Sequence, residues 1–314
     1  MPADLPDPSN PLRIGTRGSP LALAQAHETR DRLRTAHGLD DDCFAVVVIK
    51  TTGDRIVDRP LKEIGGKGLF TREIEEQLLA GDIDLAVHST KDMPTLQPDG
   101  LVLDVFLPRE DVRDAFVSLD GLRLADLPRG ATVGTSSLRR RAQLARRRPD
   151  LHLVEFRGNV QTRMGKLRDR VAAATFLARA GLNRLSMTDV PHTAIDPADM
   201  LPAVAQGAIG IERRRGDDRV AALLAPIHDA PTGTRIACER AFLRVLDGSC
   251  ETPIAGLADL SDGTLSFRGE VLRPDGSDAL EVSGEGAAAD ADALGAAMGR
   301  DLLGRAPAGF FDWR

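Results

Sequence analysis

Residues 65–94 read GGKGLFTREIEEQLLAGDIDLAVHSTKDMP, and their pattern decides the fold class. A glycine-rich loop carrying Lys67 leads into a helix predicted over 70–80, with Phe70, Ile74 and Leu78 four apart on one face. The short apolar run 83–87 reads as a buried strand, and it delivers His88, Ser89, Thr90, Lys91 and Asp92 to its C-terminal end. That end of a strand is where open α/β sheets build their sites. A carboxylate beside a lysine there is a candidate for proton chemistry on a charged substrate.

The same alternation extends in both directions. A strand is predicted over 12–16, followed by a helix with Ser19 as N-cap and Pro20 at its first position, ended by Gly38. FAVVVIKT (44–51) is a β-branched run expected to be a buried strand, and 101–106 and 114–118 are further strands. A second α/β pattern follows: strand 131–134, helix 138–148 capped by 135–137, strand 151–156, helix 159–170, strand 172–177 and a helical turn over 180–185. Strands alternating with helices imply parallel sheets. The last third differs, with a helix over 234–246, two strands over 265–272 and 279–284 joined by the turn Arg273-Pro274-Asp275-Gly276, and a helix over 288–303. This is the pattern of a separate, small α+β domain. Two similar α/β units in tandem are the nearest approach to an internal repeat.

At 314 residues the chain can form two or three domains. Its 42% hydrophobic and 28% charged residues suit a folded globular protein, and a net charge of −6 disfavours global attraction to nucleic acid or a membrane surface. The first ten residues, MPADLPDPSN, have neither the basic nor the apolar region of a secretory signal, and no apolar run approaches the ~20 residues of a membrane span. Cys43, Cys238 and Cys250 are odd in number and widely spaced, which argues against a disulfide framework or zinc site and for a reducing cytoplasm.

Five arginines stand at or near strand-to-helix junctions: Arg17 in GTRGS, Arg139 and Arg140 in VGTSSLRRR, and Arg157 and Arg163 in RGNVQTR. Helix N-termini bearing Ser19, Thr135 and Ser137 expose N–H groups, and guanidinium groups there would bind several carboxylates or phosphates. Arginines in a first helical turn oppose the helix dipole, so an anion is expected close by. Arg146–Arg148 read as a solvated face, and a capping role is the alternative for Asp92. Cys250, after Asp247-Gly248-Ser249, falls on a loop and is open to covalent chemistry, whereas Cys43 and Cys238 read as packing residues.

Together these segments resemble the porphobilinogen deaminase (hydroxymethylbilane synthase) family of tetrapyrrole biosynthesis. GTRGSPLALAQA, GGKGLF, DLAVHSTKDMP, REDVRDAFVS, VGTSSLRRRAQL, RGNVQTRMGKL, PAVAQGAIGIE and ERAFLRVLDGSC stand in the family's order from about residue 12 to 257. The resemblance implies a transferase that joins four porphobilinogen molecules head to tail, releasing ammonia each time, on a dipyrromethane cofactor held by a thioether. Cys250 matches the cysteine that carries the cofactor and Asp92 the catalytic aspartate. Arg17, Arg139, Arg140, Arg157 and Arg163 match residues binding acetate and propionate groups. Lys91, Ser89, Thr135 and Ser137 match cofactor or substrate contacts. Lys67 lies on a loop that covers the cleft in the family, and Gln206 matches a residue near its hinge.

The implied fold is two periplasmic-binding-protein-like α/β domains flanking a cleft, plus a smaller α+β C-terminal domain. The expected division is 11–108 with 205–228, then 109–204, then 229–314, in a cytoplasmic monomer. Three departures stand out: Glu63 where a lysine is usual, Ala205 in PAVAQG where glycine is usual, and Ser249 in place of a second glycine. The competing readings are a non-catalytic two-lobed solute-binding protein for a polycarboxylate, opposed by Cys250, and an arginine-based nucleic-acid regulator, opposed by net charge.

Overall fold

The structure is a computed structural model and describes residues 5–55, 68–248 and 252–313. The elements run β1 (Leu12–Arg17), α1 (Pro20–His37), β2 (Phe44–Ile49), α2 (Thr52–Arg55), α3 (Arg72–Ala80), β3 (Leu85–Ser89), β4 (Leu101–Phe106), β5 (Asp114–Val117), β6 (Thr132–Gly134), α4 (Leu138–Arg147), β7 (His152–Val154), α5 (Val160–Arg168), β8 (Ala174–Ala178), α6 (Arg179–Arg184), β9 (His192–Ala194), β10 (Ile209–Arg214), α7 (Asp218–Leu224), α8 (Ala230–Val245), β11 (Ile254–Ser261), β12 (Thr264–Leu272), β13 (Ala279–Ala287) and α9 (Ala291–Arg305). Among the described residues, one compact unit comprises 5–55, 68–110 and 208–233, and the other 111–207, 234–248 and 252–313.

The first unit holds a five-stranded sheet in the order β2-β1-β3-β10-β4. The short β-branched and apolar runs put side chains on both faces, and a helix covers each. Ala26 and Leu33 of α1 pack with Leu12, Ile14, Leu85, Val87, Ile209 and Ile211 on one face. Ile74 and Leu78 of α3 pack with Ile49, Ile83, Ala86 and Leu101 on the other. Each fully buried leucine or isoleucine contributes roughly 1.5–3 kcal/mol.

The second unit repeats the plan in β7-β6-β8-β5-β9. Leu144 of α4 covers a face built from Phe116, Val133, Ala174 and Phe176. Met164 and Leu167 of α5 cover the other, with Ala115, Val117, Phe156 and Leu177. The third sheet is an antiparallel meander, β11-β12-β13, with α9 beside β13.

Both large sheets are mixed, not parallel as the alternation of strands and helices implies. β10 runs antiparallel to β3 and β4, and β5 runs antiparallel to β8 and β9. These two strands enter their sheets after the chain has left the other unit, so no βαβ crossover constrains their direction. β2 is an edge strand, not a buried one, and Val48 is 51% exposed on it. Helix α3 starts at Arg72; Phe70 precedes it in a turn where Gly68, at φ +93°, accepts hydrogen bonds from Thr71 N and Arg72 N. Helix α8 starts at Ala230, four residues before the expected position, because Asp229 accepts Thr232 N at 2.8 Å and caps it. Strand β11 and helix α7 have no counterpart in the sequence expectation.

Helices α8 and α9 approach through glycine. A Cβ on Gly295 would lie 2.0 Å from the Cys238 carbonyl oxygen, whereas one on Gly304 of the same helix meets nothing within 4 Å. Gly295→Ala should therefore destabilise by about 1–3 kcal/mol or more through overpacking. Gly304→Ala should be neutral or stabilising by about 0.5–1 kcal/mol. Denaturant unfolding of both variants checks the pair; equal effects would contradict this packing.

Candidate active site

In the first unit the site grows from two strand ends. Gly15 lets β1 pass close to Ile83, whose Cδ1 would sit 2.3 Å from an added Cβ. The buried Thr16 hydroxyl donates to the Ala22 carbonyl at 3.2 Å, and Ser19 Oγ accepts Ala22 N at 3.2 Å as the N-cap of α1. These bonds turn the chain at Gly18-Ser19, just after Arg17, whose guanidinium carbon lies 4.2 Å from the Phe70 ring centroid. The stacking holds a cation at the end of the strand.

At the end of β3, Thr90 N donates to the Ala208 carbonyl at 3.0 Å, and Met93 N closes a 3₁₀ turn onto the Thr90 carbonyl at 3.1 Å. Met93 is buried and anchors the turn, while Lys91 and Asp92 are half-buried. Asp92 lines a pocket with Arg17, Ser19, Gln25, Phe70, His88 and Ser89. The Gln25 amide donates to Ser89 Oγ at 2.9 Å, fixing both polar groups at the pocket wall. A guanidinium, a helix N-terminus and a carboxylate thus share one small space. The arrangement suits a substrate carrying both carboxylate and N–H groups.

The second unit repeats the strand-to-helix turn. Gly134 lies against Phe156, where an added Cβ would come within 2.3 Å of the ring. Thr135 N donates to the Val154 carbonyl at 3.0 Å, Ser136 Oγ accepts Phe156 N at 2.9 Å, and Ser137 Oγ caps α4 by accepting Arg140 N at 3.4 Å. The anion that Arg139 and Arg140 require is supplied by the chain itself. Asp114, fully buried at the start of β5, accepts Arg139 Nη1 at 2.8 Å and Arg140 Nη2 at 2.7 Å. Gln206 Nε2 adds a third donor to Asp114 at 3.0 Å and also bonds the Val112 carbonyl at 2.8 Å. Arg139 and Arg140 have side chains only 4% and 6% exposed, so a large share of their hydrogen-bonding capacity faces inward. Burial alone would raise the Asp114 carboxyl, but the charges and hydrogen bonds of Arg139 and Arg140 outweigh it and hold it well below the usual range.

Arg157 and Arg163 flank a tight turn. Gly158 has φ +115°, Asn159 Oδ1 accepts Thr162 N at 2.9 Å to cap α5, and Arg163 Nε donates to the Gly158 carbonyl at 2.9 Å. Arg157 Nη1 is buried and has no hydrogen-bond partner among the described residues. Lys67 and Cys250, with Glu63 and Ser249, lie outside the described residues. Ala205 adopts φ +61°, a region that costs a Cβ-bearing residue strain and explains why glycine suits this place.

Sequence reasoning missed Asp114, Gln25 and the buried His88–Glu212 pair. The signal for Asp114 was present: an aspartate opening the apolar run Asp114-Ala115-Phe116-Val117 must find cations if that run is a buried strand. No comparable signal marked Gln25, whose role follows from the meeting of α1 with β3.

Residues 12–222 match the family model described as porphobilinogen deaminase, dipyromethane cofactor binding domain, and residues 234–304 match that of the porphobilinogen deaminase C-terminal domain. The chain is 67% identical over 309 residues to a porphobilinogen deaminase from Paracoccus denitrificans (strain Pd 1222), covering 98% of this chain and 99% of that one. Among solved structures, an arginine-specific periplasmic binding protein of Salmonella typhimurium matches at TM-score 0.40 and 14% identity, over 69% of this chain and 91% of the other. A TRAP periplasmic solute binding protein of Pseudomonas putida F1 with bound D-glucuronate matches at TM-score 0.39 and 10% identity, over 74% and 80%. These structural likenesses are too slight to carry an argument.

Removing the Asp114 carboxylate would leave two buried guanidinium groups without their counter-charge. Asp114→Asn should cost about 3–5 kcal/mol. Because the folded carboxyl is depressed, its stabilisation is complete above the unfolded aspartate range, near ~3.9, and is lost progressively as pH falls below that range toward the folded value. Urea unfolding of wild type and Asp114→Asn between pH 7 and pH 3 checks both points. A difference below ~1 kcal/mol at pH 7 would contradict the pairing as a stabilising contact.

Proposed function

This chain belongs to the porphobilinogen deaminase family, and from that premise we propose that Asp92 performs the central chemistry while Cys250 carries the cofactor. The activity is that of a transferase in tetrapyrrole biosynthesis: porphobilinogen units are joined head to tail into linear hydroxymethylbilane with release of ammonia. The observation that carries the assignment of Asp92 is its place on the turn after β3, in one pocket with Arg17, Ser89 and Gln25.

The donor set fits a dipyrromethane, whose acetate and propionate groups need cations and hydroxyls. Arg157 Nη1 is a buried donor with no partner among the described residues, as a carboxylate-binding position requires. The residues that would hold the group are Cys250 through a thioether, with Lys91, Ser89, Thr135, Ser137, Arg139 and Arg140. When bound, it supplies the primer pyrrole from which the product is extended. Arg17, Arg157, Arg163, Ser19, Lys67 and Gln206 are assigned to the substrate. For Arg139, Arg140 and Gln206, which are buried, the bonds to Asp114 make the assignment indirect: they shape the α4 N-terminus, and the two arginines charge it.

The Asp92 carboxylate accepts pyrrole N–H groups and faces the positive charge that develops as the aminomethyl C–N bond breaks. A fixed anion lowers the energy of that charge more than that of the neutral ground state. Arg17 orients porphobilinogen through a side-chain carboxylate, bidentate geometry fixing its plane. Ser89, held by Gln25, presents a hydroxyl of defined direction.

Three domains are proposed, 11–108 with 205–228, 109–204, and 229–314, supported by three separate sheets. Contacts group the last two into one compact unit. Porphobilinogen is the substrate of the family; a cytoplasmic monomer is our proposal. Among the described residues no helix is long and apolar enough to cross a membrane.

The intact mass of purified protein should exceed that of the polypeptide by one dipyrromethane, and Cys250→Ala should lose the excess. An unmodified, folded wild type that still consumes porphobilinogen would overturn the cofactor assignment. Asp92→Asn should keep the excess mass yet lose turnover by roughly 10²–10³-fold, measured as ammonia release. Turnover near that of wild type would remove the role given to Asp92.

A further inference from the structure

On the α3 face of the first sheet the titratable side chains of His88, which lines the Asp92 pocket, Glu212 and Glu75 lie together. β3 and β10 are antiparallel, with Gly210 opposite His88 and Ala86 opposite Glu212. Side chains two apart on a strand share a face. Val87 and Ile211 point to the α1 side, so His88 and Glu212 point to the side that α3 covers. His88 Nε2 lies 3.2 Å from Glu212 Oε2, with side chains 4% and 0% exposed. Glu212 Oε1 and Glu75 Oε1 are buried without a hydrogen-bond partner among the described residues. Burial, and then the charge of Glu212, push the Glu75 carboxyl above its ordinary value, with Thr71 and His88 opposing. His88 also lines the pocket that holds Asp92 and Arg17.

A histidine that donates Nε2–H to a buried carboxylate has its tautomer fixed, and Nδ1 is left as the basic nitrogen. The charged groups beside this ring are Glu212 on β10 and Glu75 on α3, and those sharing its pocket are Arg17 at the end of β1 and Asp92 on the turn after β3. Imidazoles as a class titrate near ~6.5 and carboxylates near ~4, so an imidazole is the better carrier of a proton at neutral pH.

We propose that His88, oriented by Glu212, is the proton relay of this pocket, taking the proton displaced from the acceptor pyrrole α-carbon at each coupling and passing it to the departing ammonia. The inference deepens the deaminase reading and rests on it. The aminomethyl C–N bond breaks with its electron pair leaving on nitrogen. The acceptor α-carbon supplies the pair for the new C–C bond, and loss of its proton to Nδ1 restores the aromatic ring. The imidazolium then protonates ammonia, giving ammonium and neutral His88. No oxidant or reductant enters, and the charge of one substrate ammonium leaves as one free ammonium. Asp92 keeps its negative charge throughout, so that one side chain steadies a cation and another moves a proton.

The test uses cofactor-loaded protein and two variants. His88→Gln retains a donor for Glu212 but cannot carry a proton; Glu212→Gln keeps the shape but removes the charge that favours the imidazolium. With ¹⁵N-histidine-labelled wild type, the Nε2–H tautomer is expected at neutral pH. His88→Gln should keep the dipyrromethane mass and a KM within about 2-fold, with kcat lowered roughly 10²–10⁴-fold. In Glu212→Gln the acid limb of the kcat–pH profile should move to lower pH, because a lost neighbouring carboxylate lowers a histidine's affinity for protons. The proposal is overturned by the Nδ1–H tautomer, by wild-type-like kcat in His88→Gln, or by an unmoved acid limb in Glu212→Gln. If His88→Gln does not fold, the tautomer and the Glu212→Gln profile decide alone. Wild type that consumes no porphobilinogen would sink the deaminase reading, whereas full turnover in both wild type and His88→Gln sinks only the relay.

Discussion

The constraint on which the second unit depends is the charge of Asp114. A carboxylate at the first position of a buried strand has no water to solvate it, and an unpaired charge there would oppose folding by several kcal/mol. Arg139 and Arg140 answer it from the first turn of α4, and Gln206 answers it from the segment that leads out of the unit. The carboxylate therefore ties β5, α4 and residues 201–206 into one hydrogen-bonded group. It also resolves a local conflict, because arginines in a first helical turn face the positive end of the helix dipole. A buried anion makes that position tolerable, and the N-terminus of α4 is then held rigidly with its hydroxyls in place.

Two sheets of one topology carry different side chains at equivalent points. Gly15-Thr16 and Gly134-Thr135 each end a strand with a glycine too crowded for a Cβ and a buried threonine. Ser19 and Ser137 each cap the following helix. Thr90 N and Arg179 N make the same bond onto the antiparallel neighbour, to the carbonyls of Ala208 and Arg113. The turn that follows β3 then carries Lys91 and Asp92, while Ala180 and Gly181 follow β8. The scaffold fixes where polar groups emerge, and the local residues decide whether they bind or react.

Much of this was legible from the chain alone. The N-cap and proline at Ser19-Pro20, the terminating Gly38, the short strand before Asp92 and the cap before α4 are local signals, and the structure realises each of them. What escaped was set by partners distant in sequence. The direction of β5 and β10 depends on where the chain re-enters a sheet, which no periodicity records. The β-branched run of β2 suits an edge as well as a centre, because the missing neighbour leaves no mark on the strand itself. The five arginines looked like one ligand-binding set; two of them are buried on Asp114, 25 and 26 residues away along the chain. Asp92, by contrast, could be read as a candidate because its strand, its turn and its lysine neighbour are contiguous.

The central claim is that Asp92 holds the reacting pyrrole through its N–H. It is tested most directly by proton–nitrogen NMR of protein whose cofactor has been assembled from pyrrole-¹⁵N porphobilinogen, compared between wild type and Asp92→Asn. The account predicts a pyrrole N–H resonance displaced downfield by a carboxylate hydrogen bond in wild type and returned toward the free position in Asp92→Asn. Identical pyrrole N–H resonances in the two proteins would contradict it.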